Sequence, residues 1–358
     1  MVDNIGIWSI KNYLFMHLNK NFFAERNGIF IKFNNDYTYK LINPHNRSND
    51  AFLRIEINEY GTYFKIVGSL RKWFYGSQSL KDFTIMDFVE AIALLSSTLE
   101  IPFDQFCEFS ISMIEIGKNI KVSEKCSNIL NMIVGYKSSS YDPATYRGYK
   151  RFNTANFGIK IYDKPAEILK QKAKHRFMKT VDENNFITEN LNKNWLRVEF
   201  KIKKGKNLMK RIEVKTIGEL IDNFNKLYIF FWENAQMLHF SEIYNEIPVL
   251  NEENISDKKM NDYLRVVGMH ALGLDAVCQL LSKLKNRGLK SKIKGIYENP
   301  SFKFSSYDKL SFLNNIMGQI VLDLIKSGQA KFAKEIVPTL RANSTYNTIK
   351  KNVDKSKH

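Results

Sequence analysis

The stretch Phe157-Gly158-Ile159-Lys160-Ile161-Tyr162-Asp163-Lys164 places apolar side chains at every second position of its first half. This two-residue period is typical of a β-strand that packs one face on a core. The segments 109–117 and 195–202 show the same alternation, with many β-branched and aromatic residues. We therefore expect three strands, at 109–117, near 156–163 and at 195–202.

Segments on either side of these strands indicate an α+β fold. Residues 52–58 and 62–68 alternate apolar and polar side chains around a glycine turn, which predicts a β-hairpin. Helical periodicity predicts three helices, at about 84–100, 122–134 and 165–178. Strands and helices mixed in this order favour a mainly antiparallel sheet with helices on one face. No strand leads into a GxGxxG turn, which disfavours a Rossmann fold.

Beyond these strands the pattern becomes helical, as in segments 217–240 and 262–284. We therefore expect two parts, a domain at 1–215 and a mostly helical domain at 216–358 that could bind DNA or a partner. The run 283–294 has six basic residues, no acidic one, and a glycine that could turn between helices. This run is compatible with a helix-turn-helix.

The chain of 358 residues has a formal net charge of +17, from 54 Lys and Arg against 37 Asp and Glu. Clustered cations neutralise phosphates, so this charge favours a polyanionic partner such as nucleic acid. An AT-rich coding sequence would also produce an excess of lysine, so the position of the charge is the better guide. Residues 143–215 contain 19 basic and 7 acidic residues, a net charge of +12. The charge is therefore concentrated around Tyr162.

Several classes of protein are disfavoured by the sequence. Its 3 cysteines lie far apart, without a CxxC pair or zinc-ligand spacing, and we expect them to be reduced core residues. There is no secretory signal and no apolar stretch long enough to span a membrane. We expect a cytoplasmic protein with no membrane partner.

Two acidic residues lie in the middle of predicted strands, Glu115 between isoleucines and Glu199 between Val198 and Phe200. A carboxylate inside a sheet must be paired, hydrogen-bonded or bound to a metal, because an isolated buried charge is costly. Each glutamate could simply face solvent or pair with a nearby Lys or Arg. If the two converge from neighbouring strands, they could instead bind Mg²⁺ or Mn²⁺, which prefer oxygen ligands.

Three motifs in a fixed order resemble the phage and plasmid replication initiators of the filamentous-phage type, which belong to the wider class of HUH-like nucleases. They are the acidic strand 112–115, the segment Tyr162-Asp163-Lys164 with Glu167, and the strand Arg197-Val198-Glu199. The resemblance spans roughly residues 52–215 and implies an HUH-like sheet. It also implies an endonuclease that nicks one DNA strand at an origin, leaving a 5′-phosphotyrosine on Tyr162 and a 3′-OH primer for rolling-circle replication.

The resemblance also implies roles for the residues around Tyr162. Glu115 and Glu199 would hold the metal, and Lys164, two residues beyond Tyr162, would neutralise the transition state. Arg197 could pair with Glu199 or contact phosphate. The basic residues expected to follow the DNA backbone are Lys160, Arg147, Lys150, Arg151 and Arg197.

The paired histidines that name HUH nucleases are absent, since no His-x-His occurs in the chain. The resemblance implies carboxylates at the metal instead. His175, His239 or His270 could still supply a ligand through the fold, although a lone histidine is more often structural than ligating.

The expected partner is single-stranded or extruded origin DNA, with a host helicase as a further candidate. An alternative is a non-catalytic DNA-binding protein of plasmid or phage maintenance, which would keep the charge but not the chemistry. An RNA-binding protein would also explain the charge, but not the Tyr-x-Lys and Arg-x-Glu strands. A protein-DNA adduct that survives denaturation separates the nicking enzyme from the other two.

Overall fold

An antiparallel sheet of nine strands forms the centre of the fold, and several helices pack against it, which confirms the predicted α+β class. The structure is a computed structural model. It describes residues 1–10, 17–18, 20–25, 29–33, 35–45, 51–58, 60, 62–76, 79–137, 139–140, 149–174, 194–240, 256–272, 277, 280–281, 283–298 and 309–329.

Twelve strands are present in the described residues, and each is antiparallel to its neighbours. They are β1 (Val2–Ser9), β2 (Phe30–Phe33), β3 (Asn35–Ile42), β4 (Phe52–Ile57), β5 (Phe64–Ser69), β6 (Ser110–Lys121), β7 (Ile133–Tyr136), β8 (Ser139–Ser140), β9 (Tyr149–Asn153), β10 (Phe157–Asp163), β11 (Trp195–Ile202) and β12 (Leu238–Phe240). The large sheet has the order β2-β3-β4-β5-β1-β6-β11-β10-β9, and a small sheet has the order β12-β7-β8.

The described helices connect these strands and continue beyond them. They are α1 (Lys20–Glu25), α2 (Leu70–Tyr75), α3 (Ile85–Thr98), α4 (Phe103–Cys107), α5 (Cys126–Met132), α6 (Lys164–Lys174), α7 (Gly205–Ile212), α8 (Ile217–Asp222), α9 (Asn225–Gln236), α10 (Asp257–Leu272), α11 (Arg287–Glu298) and α12 (Lys309–Lys326). None of the helices in the described ranges is both long and apolar enough to cross a membrane.

The elements predicted before residue 137 are present, with changes at their ends, and helix α5 begins at Cys126 and not at about 122, because β6 continues to Lys121. The hairpin is β4 and β5, and helix α3 begins with a capping box between Thr84 and Asp87. Strand β6 continues past its predicted end to Lys121. Helix α5 ends at Met132, two residues before its predicted end, because Ile133 already belongs to β7, which pairs with β12.

The predicted strands β10 and β11 pair with each other, so that Tyr162 lies opposite Arg197. Helix α6 follows β10 directly. Its first turn contains Pro165, which has no N–H to lose there, and the Asp163 carboxylate accepts a hydrogen bond from Ala166 N at 3.0 Å. The part of this helix predicted beyond residue 174 lies outside the described residues.

One face of the large sheet packs against helices from the C-terminal part of the chain. The Phe200 ring on β11 lies 5.0 Å from the ring of Phe231 and 6.3 Å from that of Phe230, both on α9. Burying each such side chain stabilises the fold by about 1.5–3 kcal/mol. Helix α12 adds Phe312 and Ile316 to the same hydrophobic core. Both helices thus extend the core of the sheet, while the predicted division at residue 215 stays a prediction.

Candidate metal centre

Three carboxylates from adjacent strands meet on the other face of the large sheet. Asp3 lies on β1, Glu115 on β6 and Glu199 on β11, which are neighbours in the sheet. One oxygen of each carboxylate lies within 4.8 Å of the others. Carboxylate oxygens at this spacing can share one cation, and a set of oxygen ligands suits Mg²⁺ or Mn²⁺. These residues, here called the acidic triad, therefore fit a divalent metal ion.

The register of β6 and β11 explains why the two glutamates converge. Glu199 lies opposite Gly117, and Lys201 lies opposite Glu115, so alternate positions of both strands face the same side. A Cβ atom on Gly117 would lie 2.4 Å from Nη2 of Arg197 and 3.2 Å from Cγ of Glu199. The absence of a side chain at position 117 therefore leaves the space that Arg197 occupies.

Arg197 is fully buried beside the triad and donates hydrogen bonds to four side chains. Its Nε donates to Glu199 Oε1 at 2.7 Å, its Nη2 to Asp3 Oδ2 at 2.5 Å, and its Nη1 to Asp82 Oδ1 at 3.1 Å and Asn119 Oδ1 at 3.0 Å. Burial alone would lower the pKa of Arg197, but Asp3 and Glu199 hold it well above its ordinary value. Arg197 therefore stays charged and pairs with Glu199, one of the two roles considered for it.

Glu115 is the triad member whose negative charge is least neutralised. Its carboxylate accepts a hydrogen bond from Asn4 Nδ2 at 2.7 Å, while Nζ of Lys201 is 3.9 Å away. Burial and the charges of Glu199 and Asp3 raise the pKa of Glu115 to about 7. A bound cation would remove this cost, because it favours the ionised form of the carboxylate.

Asp3 lies in a different electrostatic setting and is more deeply buried than Glu115. Burial alone would raise its pKa, but Arg71 and Arg197 outweigh that effect, and the Ser69 hydroxyl donates a further hydrogen bond. The pKa of Asp3 therefore lies well below its ordinary value, and Asp3 is ionised at neutral pH. One triad carboxylate is thus already charged and ready to bind a cation.

The hydroxyl group of Tyr162 adjoins the triad. It donates a hydrogen bond to Glu199 Oε1 at 2.8 Å, and the side chain is buried, with 5% of its surface exposed. Burial and the Glu199 carboxylate raise the pKa of Tyr162 well above its ordinary value. The Nζ atom of Lys160 lies 4.2 Å from the ring centroid, which places it on the same side as the tyrosine, as the two-residue period predicts. Tyr162 is therefore a protonated phenol next to a carboxylate.

Lys164 is the first residue of α6 instead of a strand residue, yet its amino group still approaches Tyr162. Its Nζ lies 5.7 Å from the centroid of the tyrosine ring and pairs with Glu167 at 2.5 Å. The side chain of Lys164 is fully buried, and burial lowers the pKa of its amino group to about 8. The tyrosine ring is thus flanked by two lysines.

The other basic residues predicted to follow the DNA backbone are in different environments. Arg151 is exposed on β9, the edge strand of the sheet, on the Tyr162 face. Lys150 does not fit its predicted role, because it lies opposite Ile161 on the other face and is buried. Arg197 is buried as well, so a direct DNA contact by Arg197 is not possible in this arrangement. Arg147 lies outside the described residues.

The described cluster contains carboxylates alone. Of the histidines considered as ligands, His239 lies on β12, which belongs to the small sheet, and His270 lies in α10. His175 lies outside the described residues.

Sequence reasoning missed Asp3, Arg71 and Asp82. Asp3 is the second residue of β1, in which Ile5 and Ile7 are fully buried, and the alternation of isoleucine and glycine at 5–7 could have indicated that strand. No local pattern marks Arg71 or Asp82, whose roles depend on contacts with distant strands.

No family model matches the chain, and a search of curated proteins found no similar sequence.

Proposed function

We propose that this chain is a metal-dependent nicking-joining endonuclease for single-stranded DNA, of the kind that initiates rolling-circle replication, with Tyr162 as its nucleophile. The observation that supports the proposal is the hydrogen bond from the Tyr162 hydroxyl to Glu199, because it joins a nucleophile to one ligand of a metal site. The order of the acidic, Tyr-x-Lys and Arg-x-Glu strands supports it as well.

The hydroxyl of Tyr162 needs a base at the moment of attack, because burial and Glu199 keep its pKa high. Glu199 Oε1 lies within hydrogen-bond distance and can accept the proton. Arg197 also donates to Oε1. These two contacts leave Oε2 of Glu199 for a cation, so one carboxylate can act as both ligand and base.

In the proposed reaction the Tyr162 oxygen forms a bond to the scissile phosphorus, while the bond from phosphorus to the 3′ oxygen breaks. The hydroxyl proton passes to Glu199, and the departing 3′ oxygen takes up a proton to become the 3′-OH primer. A cation at the triad would stabilise negative charge on the non-bridging oxygens. The reverse exchange rejoins the strand, because the phosphotyrosine bond conserves the energy of the phosphodiester.

The charge distribution supports single-stranded DNA as the substrate. Lys160 and Arg151 lie opposite each other on β10 and β9, toward the edge of the sheet on the Tyr162 face. Residues 143–215, which include both strands, have a net charge of +12. Phosphates that track along this edge would bring the backbone to Tyr162.

The test is a covalent adduct with single-stranded DNA from the origin region of the replicon that encodes the chain. With Mn²⁺ present, wild type should form an adduct that survives denaturing electrophoresis, and Tyr162→Phe should form none. Tyr149→Phe is the matched control, because Tyr149 lies opposite Tyr162 in the register and should be dispensable. A chelator should abolish the wild-type adduct.

Equal adduct from wild type and Tyr162→Phe would reject the nucleophile assignment. The burial of Tyr162 favours a second candidate, a non-catalytic protein that binds single-stranded DNA. Retained DNA binding with no adduct from wild type, under all metals tried, would establish that alternative.

A further inference from the structure

A second buried arginine, Arg71 of helix α2, lies next to the triad and has N–H donors that make no hydrogen bond within the described part of the chain. Its side chain is 1% exposed, and its Nη1 donates to the backbone oxygens of Ser79 at 2.8 Å and Lys81 at 3.4 Å. Its Nε and Nη2 have no hydrogen-bond partner among the described residues. A buried donor without a partner costs about 1–3 kcal/mol. Such a cost in a folded protein calls for a ligand.

Asp3 does not satisfy these donors. The distance from Nε of Arg71 to Oδ2 of Asp3 is 3.6 Å, which is too long for a hydrogen bond. Oδ2 already accepts from Nη2 of Arg197, and Oδ1 accepts from the Ser69 hydroxyl. The attraction between Arg71 and Asp3 is therefore electrostatic, and the donors of Arg71 stay open.

The two open donors are on the same edge of the guanidinium group. The Nε–H and one N–H of Nη2 point in parallel, at the spacing of two oxygens of a phosphate or carboxylate. This fork is the usual way in which arginine binds phosphate with two hydrogen bonds. The open edge of Arg71 is therefore matched to a tetrahedral or planar oxyanion.

Other cations are gathered close to Arg71. The charges of Arg71, Arg197 and Lys72 all contribute to the lowered pKa of Lys164, after burial, which is the largest cause. Burial alone would raise the pKa of Glu167, but Lys164, Lys72 and Lys160 lower it, so several cations surround this carboxylate on one side of Tyr162. The triad, on the other side of the tyrosine hydroxyl, is where negative charge prevails.

We infer that Arg71 and Lys164 form an oxyanion site beside the triad and Tyr162, and that this site holds a backbone phosphate of the DNA. Arg71 would bind two non-bridging oxygens, and Lys164 would supply a point charge from α6. The identity of the anion as a DNA phosphate rests on the proposed function, whereas the existence of the site rests on the open donors of Arg71. Arg71 is thus a binding residue for the substrate.

The first experiment follows the Nε–H resonances of the arginines by NMR while inorganic phosphate is added in the presence of Mg²⁺. The Arg71 resonance should shift, and the Arg197 resonance should not, because Nε of Arg197 already donates to Glu199. Phosphate should bind at least about tenfold more weakly to Arg71→Gln and to Lys164→Met, a loss of one hydrogen-bonded contact. Arg54→Gln, at an exposed arginine on β4, should bind phosphate as wild type does.

The second experiment repeats the titration with an unphosphorylated thymidine tetranucleotide, whose only phosphates are diesters. Its binding should weaken in the same two variants. If Arg71→Gln does not fold, Lys164→Met and the Arg71 resonance of wild type decide the question. An unmoved Arg71 resonance, unchanged affinity in the folded variants, or a response to free phosphate alone would overturn the inference.

The outcomes also separate this inference from the proposed function. Tyr162→Phe should bind phosphate normally while forming no adduct. Phosphate binding through Arg71 without any DNA adduct from wild type would reject the nuclease and keep the oxyanion site. Equal adduct from wild type and Arg71→Gln would reject the oxyanion site and keep the nuclease.

Discussion

Strand β6 buries a charged side chain on each of its faces, and the surroundings of the two differ. Lys118 points toward helix α12, where its Nζ pairs with Asp323 and lies 3.7 Å from Oδ2 of Asp82. Glu115 points the other way, toward β1 and β11, where two more carboxylates approach it. One face therefore surrounds a cation with anions. On the other face Glu115 lies near two carboxylates, Asp3 and Glu199, that already accept hydrogen bonds from Arg197.

The pKa values show the consequence of this difference. Burial alone would raise the pKa of Asp82, but Lys118 and Arg197 outweigh it, so the pKa is lowered. The pKa of Glu115 is raised to about 7 by burial and by its acidic neighbours. A buried carboxylate with a cation beside it stabilises the fold, whereas one without a cation destabilises the fold until a ligand binds. The contrast supports the Glu115 face as the candidate metal site.

The largest effect on stability is expected on the face of β6 where Lys118 pairs with Asp323. Lys118→Met removes the cation and leaves Asp323 buried without its partner, which should lower the free energy of unfolding by about 3–5 kcal/mol. Chemical denaturation would measure the loss. Binding of Mn²⁺ by the folded variant, followed by calorimetry, should be unchanged, because the triad lies on the other face.

The double variant Lys118→Met/Asp323→Leu is the control for this prediction. It replaces the ion pair with apolar side chains and should recover most of the lost stability. A double variant as unstable as the single one would show that Lys118 matters for packing and not for charge.

On the other face of β6, the substitution Glu115→Gln should stabilise the metal-free protein. Because the pKa of Glu115 is raised in the folded state, the folded chain binds more protons than the unfolded chain between about pH 4.5 and about pH 7. The stability of wild type should therefore fall across this range relative to Glu115→Gln. Above pH 7 the variant should be more stable by up to ~3 kcal/mol without metal. Denaturation curves at several pH values would measure the difference.

For Glu56→Gln on β4 we expect the opposite effect of pH on stability, and this pair of proteins is the control for Glu115→Gln. Burial alone would raise the pKa of Glu56, but its bonds to Lys65 and Arg54 outweigh it, so the pKa is lowered. Wild type should therefore be the more stable of this pair at neutral pH and lose that advantage in acid, by a few tenths of a kcal/mol to about 1 kcal/mol for such a partly exposed pair. The same pH trend for both pairs of proteins would contradict the assignment of Glu115.

A further effect is expected from the space beside the triad. Gly117→Ala places a Cβ against Arg197 and Glu199, which should cost about 1–3 kcal/mol and weaken Mn²⁺ binding, because both side chains must move. Gly318→Ala is the control, since a Cβ at that exposed position of α12 meets nothing within 4 Å. It should stabilise the helix by about 0.5–1 kcal/mol. Thermal unfolding and calorimetry would measure both.

Five of the nine strands of the large sheet were predicted from the sequence, whereas β1, β2, β3 and β9 were missed. The hairpin, β6, β10 and β11 alternate clearly, and their predicted limits agree with the structure to within a few residues. Strand β1 was missed because it lies between β5 and β6, and Val2, Ile5 and Ile7 are all buried. The register of β1 with β6 shifts between Val2 and Ile5, so the buried apolar residues of β1 do not keep one two-residue period from end to end.

The site was predicted only in part, for a similar reason. Glu115 and Glu199 were recognisable because a carboxylate within an apolar strand is unusual by itself. Asp3 joins them only through the order of the strands, which no spacing in the chain reveals. Lys150 was assigned to the DNA surface from its charge, but the strand register places it opposite Ile161, on the buried face of the sheet.

Asp3 and Glu199 are separated by 196 positions in the chain, so the triad exists only when β1, β6 and β11 are paired. Contacts over such distances close large loops and are among the slower steps of folding. A cation would bind the triad in the native state but not in a partly folded chain, where the three strands are not yet paired. The cation would therefore slow unfolding of the native state without raising the folding rate.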